Sequence, residues 1–274
     1  MERSLLKRYW EKGVRLVRYA ATLRIPVYAS HASFFIALAV FPTLVLLMSL
    51  MRYTGFEIRN LTELLIGVIP EALMPAAERL IVTTYYSTTG TVVSVSALTA
   101  LWSASRGIHG LRTGLNTIYR VEENRGYFRT RLVSVLYTFL FLLVLLLTLV
   151  FHVFGNAIAR WQILEGSPFF AFLEEVIGLR FFVLLGAQTL LFTGVFMVLP
   201  NRKNRFAESL PGALLASAGW LIFSDLYSIY VRHFAGLSNV YGSVYGVALS
   251  MLWLYCCVSI VFYGGVLNCW LTEN

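Results

Sequence analysis

The sequence predicts an all-α fold: a polytopic membrane protein in which six spanning helices form a bundle, with amphipathic helices at its surfaces. Composition is the first observation, because the 274-residue chain is 58% hydrophobic and only 13% charged, whereas soluble domains are about 45–50% apolar and about 25% charged. The second is a series of six apolar segments that are each long enough to cross a bilayer. The third is the concentration of Lys and Arg at alternate ends of these segments, which is typical of membrane topology.

Residues 1–27 are predicted to form a basic amphipathic helix on the cytoplasmic surface. They lack the apolar stretch of a cleavable signal peptide. Anionic lipid headgroups are its expected partner, although a flank that is basic only for topological reasons explains the same residues. Pro42 lies inside the first span, where a kink is expected and a helix bundle tolerates it. The six spans are placed, to within a few residues, at 28–53, 91–118, 131–156, 180–199, 209–231 and 243–270.

The distribution of basic residues predicts the orientation of the bundle. The flanks 1–27, 119–131 and 200–208 hold 14 Lys and Arg residues, and the opposite flanks hold 6. Because basic loops stay in the cytoplasm, both termini are predicted to be cytoplasmic in a bacterial inner membrane. Two outer segments, 60–86 and 167–178, are amphipathic, and we expect short surface helices there that could dock a protein partner.

A single membrane domain is expected over residues 1–274, because no linker rich in Pro, Ser or Gly divides the chain. The net charge of +8 is explained by topology, so no nucleic-acid partner is expected. Three cysteines, all in the last span, are too few and too closely placed for a disulfide framework or a zinc site. They are interpreted as small apolar packing residues.

The second span has unusual polar residues for a membrane helix. Ser105, His109, Arg112 and Asn116 are spaced 4, 3 and 4 and form one polar stripe, with Arg106 at its margin. A bare charge at mid-bilayer costs at least about 2.5–3.5 kcal/mol, so Arg106 is expected to face helices, water or headgroups. Arg112 is closer to the cytoplasmic headgroups, and we expect it to snorkel towards them rather than bind a ligand.

The same span carries a second face made of glycines. Gly107, Gly110 and Gly114 are spaced 3 and 4, which allows another helix to approach closely. His31 begins the first span near the cytoplasm and is predicted to reach the region of Arg112. The helix is therefore expected to have one close-packed side and one polar side.

Asp225 is the only aspartate in the chain and lies within the fifth span. Counted from the cytoplasmic end at a rise of about 1.5 Å per residue, its depth matches that of Arg106 to within one helical turn. We predict that the two side chains pair, directly or through water, because an unpaired charge at that depth is costlier. Such a pair could fix helix packing only, or it could take part in transport.

Weaker polar signals are expected to be hydrogen bonds between helices; they are His152, Asn156, Gln188 and Asn268. The chain contains no GxSxG, HExxH, phosphate-loop or CxxC motif, and its four histidines have no metal-ligand spacing. The sequence therefore predicts no enzyme, no metal and no cofactor.

Several sequence strings occur in an order that resembles the YihY/BrkB family of bacterial inner-membrane proteins: ASHASFFIALAVFP (29–42), LWSASRGIHGLRTGLNTIY (101–119), the basic run 128–131, LPGALLASAGW (210–220), YGSVYG (241–246) and FYGGVLN (262–268). The resemblance implies six membrane helices with cytoplasmic termini. Family members have been labelled ribonuclease BN or linked to serum resistance, but the residues here offer no nuclease site. Val266 stands where such members often have Glu, so no role of that carboxylate carries over.

Two functions follow as hypotheses. The first is a transporter or lipid translocator that moves an anionic or amphiphilic substrate past the polar stripe, with Asp225 as an internal counter-ion. The alternative is a membrane scaffold that does not transport and that docks a partner in envelope biogenesis through segments 60–86 and 167–178.

Overall fold

The computed structural model describes residues 14, 18–51, 89–124, 180–233 and 243–273. These residues form five long helices and no strand, so the predicted all-α class is confirmed for them. The helices are α1 (Ile25–Met51), α2 (Gly90–Ile118), α3 (Arg180–Val198), α4 (Phe206–His233) and α5 (Ser243–Glu273). Their bounds agree with five predicted spans to within three residues.

The remaining predicted elements lie outside the described residues. They are the span 131–156, the outer segments 60–86 and 167–178, and most of the N-terminal helix, of which residues 18–22 are helical. The count of six spans and the cytoplasmic placement of the termini therefore stay predictions.

Two of the described helices are long and apolar enough to cross a membrane. Phe206–Val231 has a mean hydropathy of 1.4 over its most apolar window and Tyr245–Glu273 has 1.9, yet only 17% and 28% of these windows are buried. The core helix of a soluble protein would be mostly buried, whereas here apolar side chains such as Leu226 and Val247 are each 60% exposed. Such an apolar exterior suits contact with lipid. The described apolar stretches Ile25–Val40 and Leu184–Val198 are shorter.

The chain divides into two compact units. The described parts of the second unit are 36–51 in α1, 89–104 in α2 and directly before it, and Arg180 at the start of α3. There α1 continues through Pro42, and the next residue, Thr43, donates a hydrogen bond from its hydroxyl to the carbonyl of Ala39 over 2.7 Å. Within the described residues, α1 and α2 each contribute residues to both units. The single domain predicted for 1–274 stays a prediction.

The first unit contains α4 and α5, which pack in antiparallel directions through small residues. Gly212 near the start of α4 meets Gly264 near the end of α5, and a Cβ atom on either glycine would collide with the other's carbonyl oxygen. Asn268 accepts a hydrogen bond from the Gly212 N–H over 2.6 Å and donates one to the Ser209 carbonyl over 3.0 Å. The interhelical bonding predicted for Asn268 is thus confirmed.

In the same unit, α2 lies against both α1 and α5. A Cβ atom on Gly110 would lie 2.6 Å from His31 Nδ1 and 3.2 Å from the Cα of Ala32, both in α1. One turn further, a Cβ on Gly114 would lie 2.5 Å from the Phe262 ring of α5. These glycines occur where neighbouring helices approach the α2 backbone, as small residues do in membrane helix packing. Gly107 is buried as well.

The C-terminal end of α2 is capped by a Schellman motif. The Val121 N–H donates to the Asn116 carbonyl over 2.9 Å, and the Arg120 N–H donates to the Thr117 carbonyl over 3.3 Å. Arg120 has a positive φ of 54°, which glycine usually supplies at this position. The motif satisfies two carbonyl groups that the helix end would leave unpaired, and it reverses the chain direction.

Tyr19 joins the N-terminal segment to this helix end. Its phenol donates a hydrogen bond to the Ile118 carbonyl over 2.7 Å, and the Arg120 guanidinium lies 4.8 Å from its ring centroid. Arg120 also reaches Glu273 at the end of α5 over 3.9 Å. The first unit therefore brings together the segment that precedes α1 and the ends of α2 and α5.

Replacing Tyr19 with phenylalanine is expected to destabilise the protein by about 1 kcal/mol, because the bond to Ile118 is lost. Burial raises the pKa of Tyr19 from 10.0 to about 12. Because the pKa is higher in the folded protein, the contribution of the protonated phenol to the free energy of unfolding is complete below pH 10. This contribution is lost as the pH rises towards 12. Unfolding of both proteins in detergent, measured at neutral pH and between these two values, should therefore give a smaller difference at the higher pH. Equal stability at neutral pH would contradict the prediction.

Candidate functional site

The polar stripe of α2 divides between buried and exposed residues. Ser105, Arg112 and Asn116 are buried, whereas Arg106 and His109 are exposed. Arg112 is only 8% exposed, so the expectation that it snorkels towards headgroups is wrong. Its guanidinium instead turns to a carboxylate of the same chain.

That carboxylate belongs to Glu123, whose Oε2 lies 3.3 Å from Arg112 Nε. Glu123 reaches this position because the turn at Arg120 reverses the chain after α2 and sends residues 121–124 back along the helix. The ion pair is partly buried, with side-chain exposures of 10% for Arg112 and 26% for Glu123. Removing one partner of such a pair is costlier than the net value of the pair, because the other charge stays buried.

Asn116 connects this ion pair to the loop between α3 and α4. Its Nδ2 donates to Glu123 Oε2 over 3.0 Å, and its Oδ1 accepts the backbone N–H of Asn201 over 2.8 Å. Asn201 also donates from Nδ2 to the Glu122 carbonyl over 2.7 Å. The backbone directly before Glu123, at the Glu122 carbonyl, is therefore held by a hydrogen bond from a loop that follows it by more than 70 residues.

An open pocket of about 250 Å³ lies beside the ion pair. Apart from Val121, its lining residues are polar: His109, Arg112, Thr113, Asn116, Thr117 and Glu123. The hydroxyl of Thr113 lies 3.2 Å from His109 Nδ1, and that of Thr117 lies 3.1 Å from the Tyr28 hydroxyl. Three residues of the predicted stripe, His109, Arg112 and Asn116, thus line a polar pocket that also contains the partly buried ion pair.

His31 of α1 lies close to this wall. It packs against Gly110 and its ring centroid is 5.0 Å from that of Phe35. The sequence predicted that His31 reaches the region of Arg112. Gly110, which His31 contacts, is two residues before Arg112 on α2. His31 is exposed and is not among the residues that line the pocket.

The pairing predicted between Arg106 and Asp225 stays a prediction. The structure places Arg106 on α2 and Asp225 on α4, and both side chains are exposed. Val266, at the position where relatives of the resembled family often carry Glu, is 2% exposed. A carboxylate there would be buried and would need a partner of its own.

Two residues of the site were missed by sequence reasoning, namely Glu123 and Asn201. A signal was available for Glu123, because Glu122 and Glu123 are acidic residues in an otherwise basic flank directly after the second span. No comparable signal marks Asn201, whose role depends on where the α3–α4 loop meets α2. Among the residues that the structure describes, no group of three His, Cys, Asp or Glu side chains could hold a metal ion.

The chain is similar to known proteins over most of its length. The family described as Virulence factor BrkB matches residues 16–274. A protein of Bacillus subtilis (strain 168), named ribonuclease-like protein YfkH, is 30% identical over 240 residues, which are 88% of this chain and 87% of that protein. UPF0761 membrane proteins of Vibrio vulnificus (strain YJ016) and Vibrio parahaemolyticus are 23% and 26% identical. Their alignments cover 96% and 92% of this chain and 84% and 79% of those proteins. No solved structure matches the chain.

Proposed function

Because the chain belongs to the virulence factor BrkB family of membrane proteins, we propose that it moves an anionic amphiphile, such as a lipid, across the bacterial cytoplasmic membrane along the polar side of α2. The observation that carries the proposal is Arg112, an arginine buried on a predicted membrane helix and lining an open polar pocket. Inside a membrane, an ionisable residue is expensive and commonly marks a substrate or ion pathway. The names of the membrane-protein relatives carry no enzymatic activity.

The arrangement suits a charged headgroup better than an apolar solute. Arg112 and the amide of Asn116 lie on one buried side of α2. Arg106 lies on an exposed side of the same helix, between one and two turns away, so a negative charge could pass from one arginine to the other along α2. The pocket volume of about 250 Å³ holds a headgroup but not a whole lipid. Acyl chains would therefore remain in the bilayer, in contact with the apolar exterior of the helices.

The proposal is tested by lipid movement between leaflets in liposomes that contain the purified protein. Arg106→Ala and Arg112→Gln should each slow the movement by about 10- to 100-fold, because each removes a charged hydrogen-bond donor that is worth about 1.5–3 kcal/mol. Arg205→Gln is the matched control, since Arg205 is exposed directly before α4 and also carries one positive charge. Normal movement in folded Arg106→Ala and Arg112→Gln proteins would refute the proposal.

The scaffold alternative depends on segments 60–86 and 167–178, which lie outside the described residues. No lipid movement in the wild-type protein would favour it, or would favour a translocator that needs a partner. Crosslinking of the wild-type protein beside a variant with a replaced 60–86 segment would then separate the two, because only the scaffold loses its partner with that segment.

A further inference from the structure

A cationic nitrogen and an amide donor of α2 approach a single oxygen atom in the pocket. Arg112 Nε lies 3.3 Å from Glu123 Oε2, and Asn116 Nδ2 donates to the same oxygen over 3.0 Å. Arg112 and Asn116 are four residues apart, so their side chains project from the same face of the helix. The Glu123 carboxylate therefore marks the place where this face binds an oxyanion.

The position of Glu123 allows its carboxylate to be replaced by an external anion. Of the described residues that line the pocket, only Glu123 has a negative charge. It lies on the non-helical segment 121–124 and its side chain is 26% exposed, whereas that of Arg112 is 10% exposed. A rotation of the Glu123 side chain would place its carboxylate in water. The backbone would stay in place, because Asn201 holds the neighbouring Glu122 carbonyl.

Replacement of the Glu123 carboxylate by an external oxyanion costs less free energy than its departure without replacement. If Glu123 left without replacement, the guanidinium of Arg112 would lose an ion-pair partner while it remained buried, which is the costly case for buried pairs. An external oxyanion that takes the same position would keep the charge compensated. Phosphate is the ligand class that best fits an arginine together with an amide donor, because it offers several acceptor oxygens and a full negative charge.

The geometry points to a phosphate-binding site at Arg112 and Asn116, in which the Glu123 carboxylate is an internal substitute that the bound phosphate displaces. The inference rests on the proposed function for its biological use, since a lipid headgroup would be the natural carrier of the phosphate. The binding itself does not require transport. Lipid headgroup and free phosphate share this chemistry, and the experiment below separates them.

The test is binding to the full-length protein, purified in a neutral detergent, by isothermal titration calorimetry. The probes are inorganic phosphate, short-chain phosphatidylglycerol and, as a zwitterionic probe, short-chain phosphatidylcholine. In Glu123→Gln the phosphate no longer competes with an internal carboxylate, so binding should be about tenfold tighter than in the wild-type protein. Arg112→Gln should lose the binding.

Glu273→Gln is the matched control, because Glu273 forms an exposed ion pair with Arg120 near the same end of the first unit. It changes the net charge by the same amount and should bind like the wild-type protein. Glu123→Asp, which keeps the charge on a shorter side chain, should give an intermediate affinity. This second variant keeps the test valid if Glu123→Gln is poorly folded.

The outcomes are separable. Tighter binding of phosphatidylglycerol alone identifies a lipid headgroup as the ligand, and equal tightening for inorganic phosphate identifies free phosphate. The inference is overturned if neither Glu123→Gln nor Glu123→Asp binds inorganic phosphate or phosphatidylglycerol more tightly than Glu273→Gln does, or if Arg112→Gln binds these probes like the wild-type protein. Tighter binding together with unchanged lipid movement in Arg112→Gln liposomes would retain the site and reject the proposed function.

Discussion

Replacing Gly264 with alanine is expected to destabilise the protein by about 3 kcal/mol or more, because overpacking that moves a backbone is costlier than overpacking that moves a side chain. The added Cβ would meet the carbonyl oxygen of Gly212 and would lie 3.1 Å from the Cβ of Ala216. Neither group can move without shifting α4. The measurement is the midpoint of unfolding by a denaturing detergent, with helix content followed by circular dichroism.

Gly246→Ala is the matched control for this substitution, because it lies in the same helix and a Cβ there would meet nothing within 4 Å. Alanine is favoured over glycine inside a helix, so Gly246→Ala should stabilise the protein by up to about 1 kcal/mol. Equal midpoints for Gly264→Ala and Gly246→Ala would show that the contact between α4 and α5 is not as close as described.

Replacing Asn268 with leucine is expected to cost about 2–4 kcal/mol, because each buried polar group that loses its partner costs about 1–3 kcal/mol. Asn268 is 1% exposed and bonds both the Gly212 N–H and the Ser209 carbonyl. Leucine has a similar size but can make neither bond. The same unfolding measurement applies, and melting of the detergent-solubilised protein gives an independent midpoint.

Two comparisons sharpen the prediction for Asn268. Asn268→Asp keeps an acceptor for Gly212 but loses the donor to Ser209, so its stability should remain clearly below that of the wild-type protein. Ser250→Ala should be nearly neutral, because Ser250 is exposed and its hydroxyl bonds only the Gly246 carbonyl of its own helix. If the Asn268→Leu protein were as stable as the Ser250→Ala control, a structural role of these bonds would be excluded.

Stability and the candidate site can be tested separately, because they depend on different parts of the first unit. The α4–α5 contact rests on small residues and Asn268, whereas the pocket rests on α2 and the segment that follows it. Substitutions of Gly264 or Asn268 should therefore act on folding. Substitutions of Glu123 should act first on ligand binding, with only part of the ion-pair energy lost from folding.

The sequence by itself determined the helical class, the ends of five helices and the family. Apolar segments of spanning length follow from composition, and helix ends follow from where that composition changes, so both are properties of local sequence. The motifs quoted from residues 29–268 are spread along the chain, and the membership that they indicated in the YihY/BrkB family is confirmed by the match over residues 16–274. Helical periodicity placed His109, Arg112 and Asn116 on one face of α2, and these three residues line the pocket.

Only the tertiary structure decided which groups meet that face. Periodicity predicts that Arg112 and Asn116 share a side of the helix, but it contains no information about a partner beyond the helix end. Glu123 becomes that partner because Arg120 adopts a positive φ and reverses the chain, a backbone choice that the apolar pattern does not encode. Asn201 and Asn268 likewise gain their bonds from helices distant in sequence. Spacing along one helix is set by local geometry, whereas the neighbour opposite each position is set by how the helices pack.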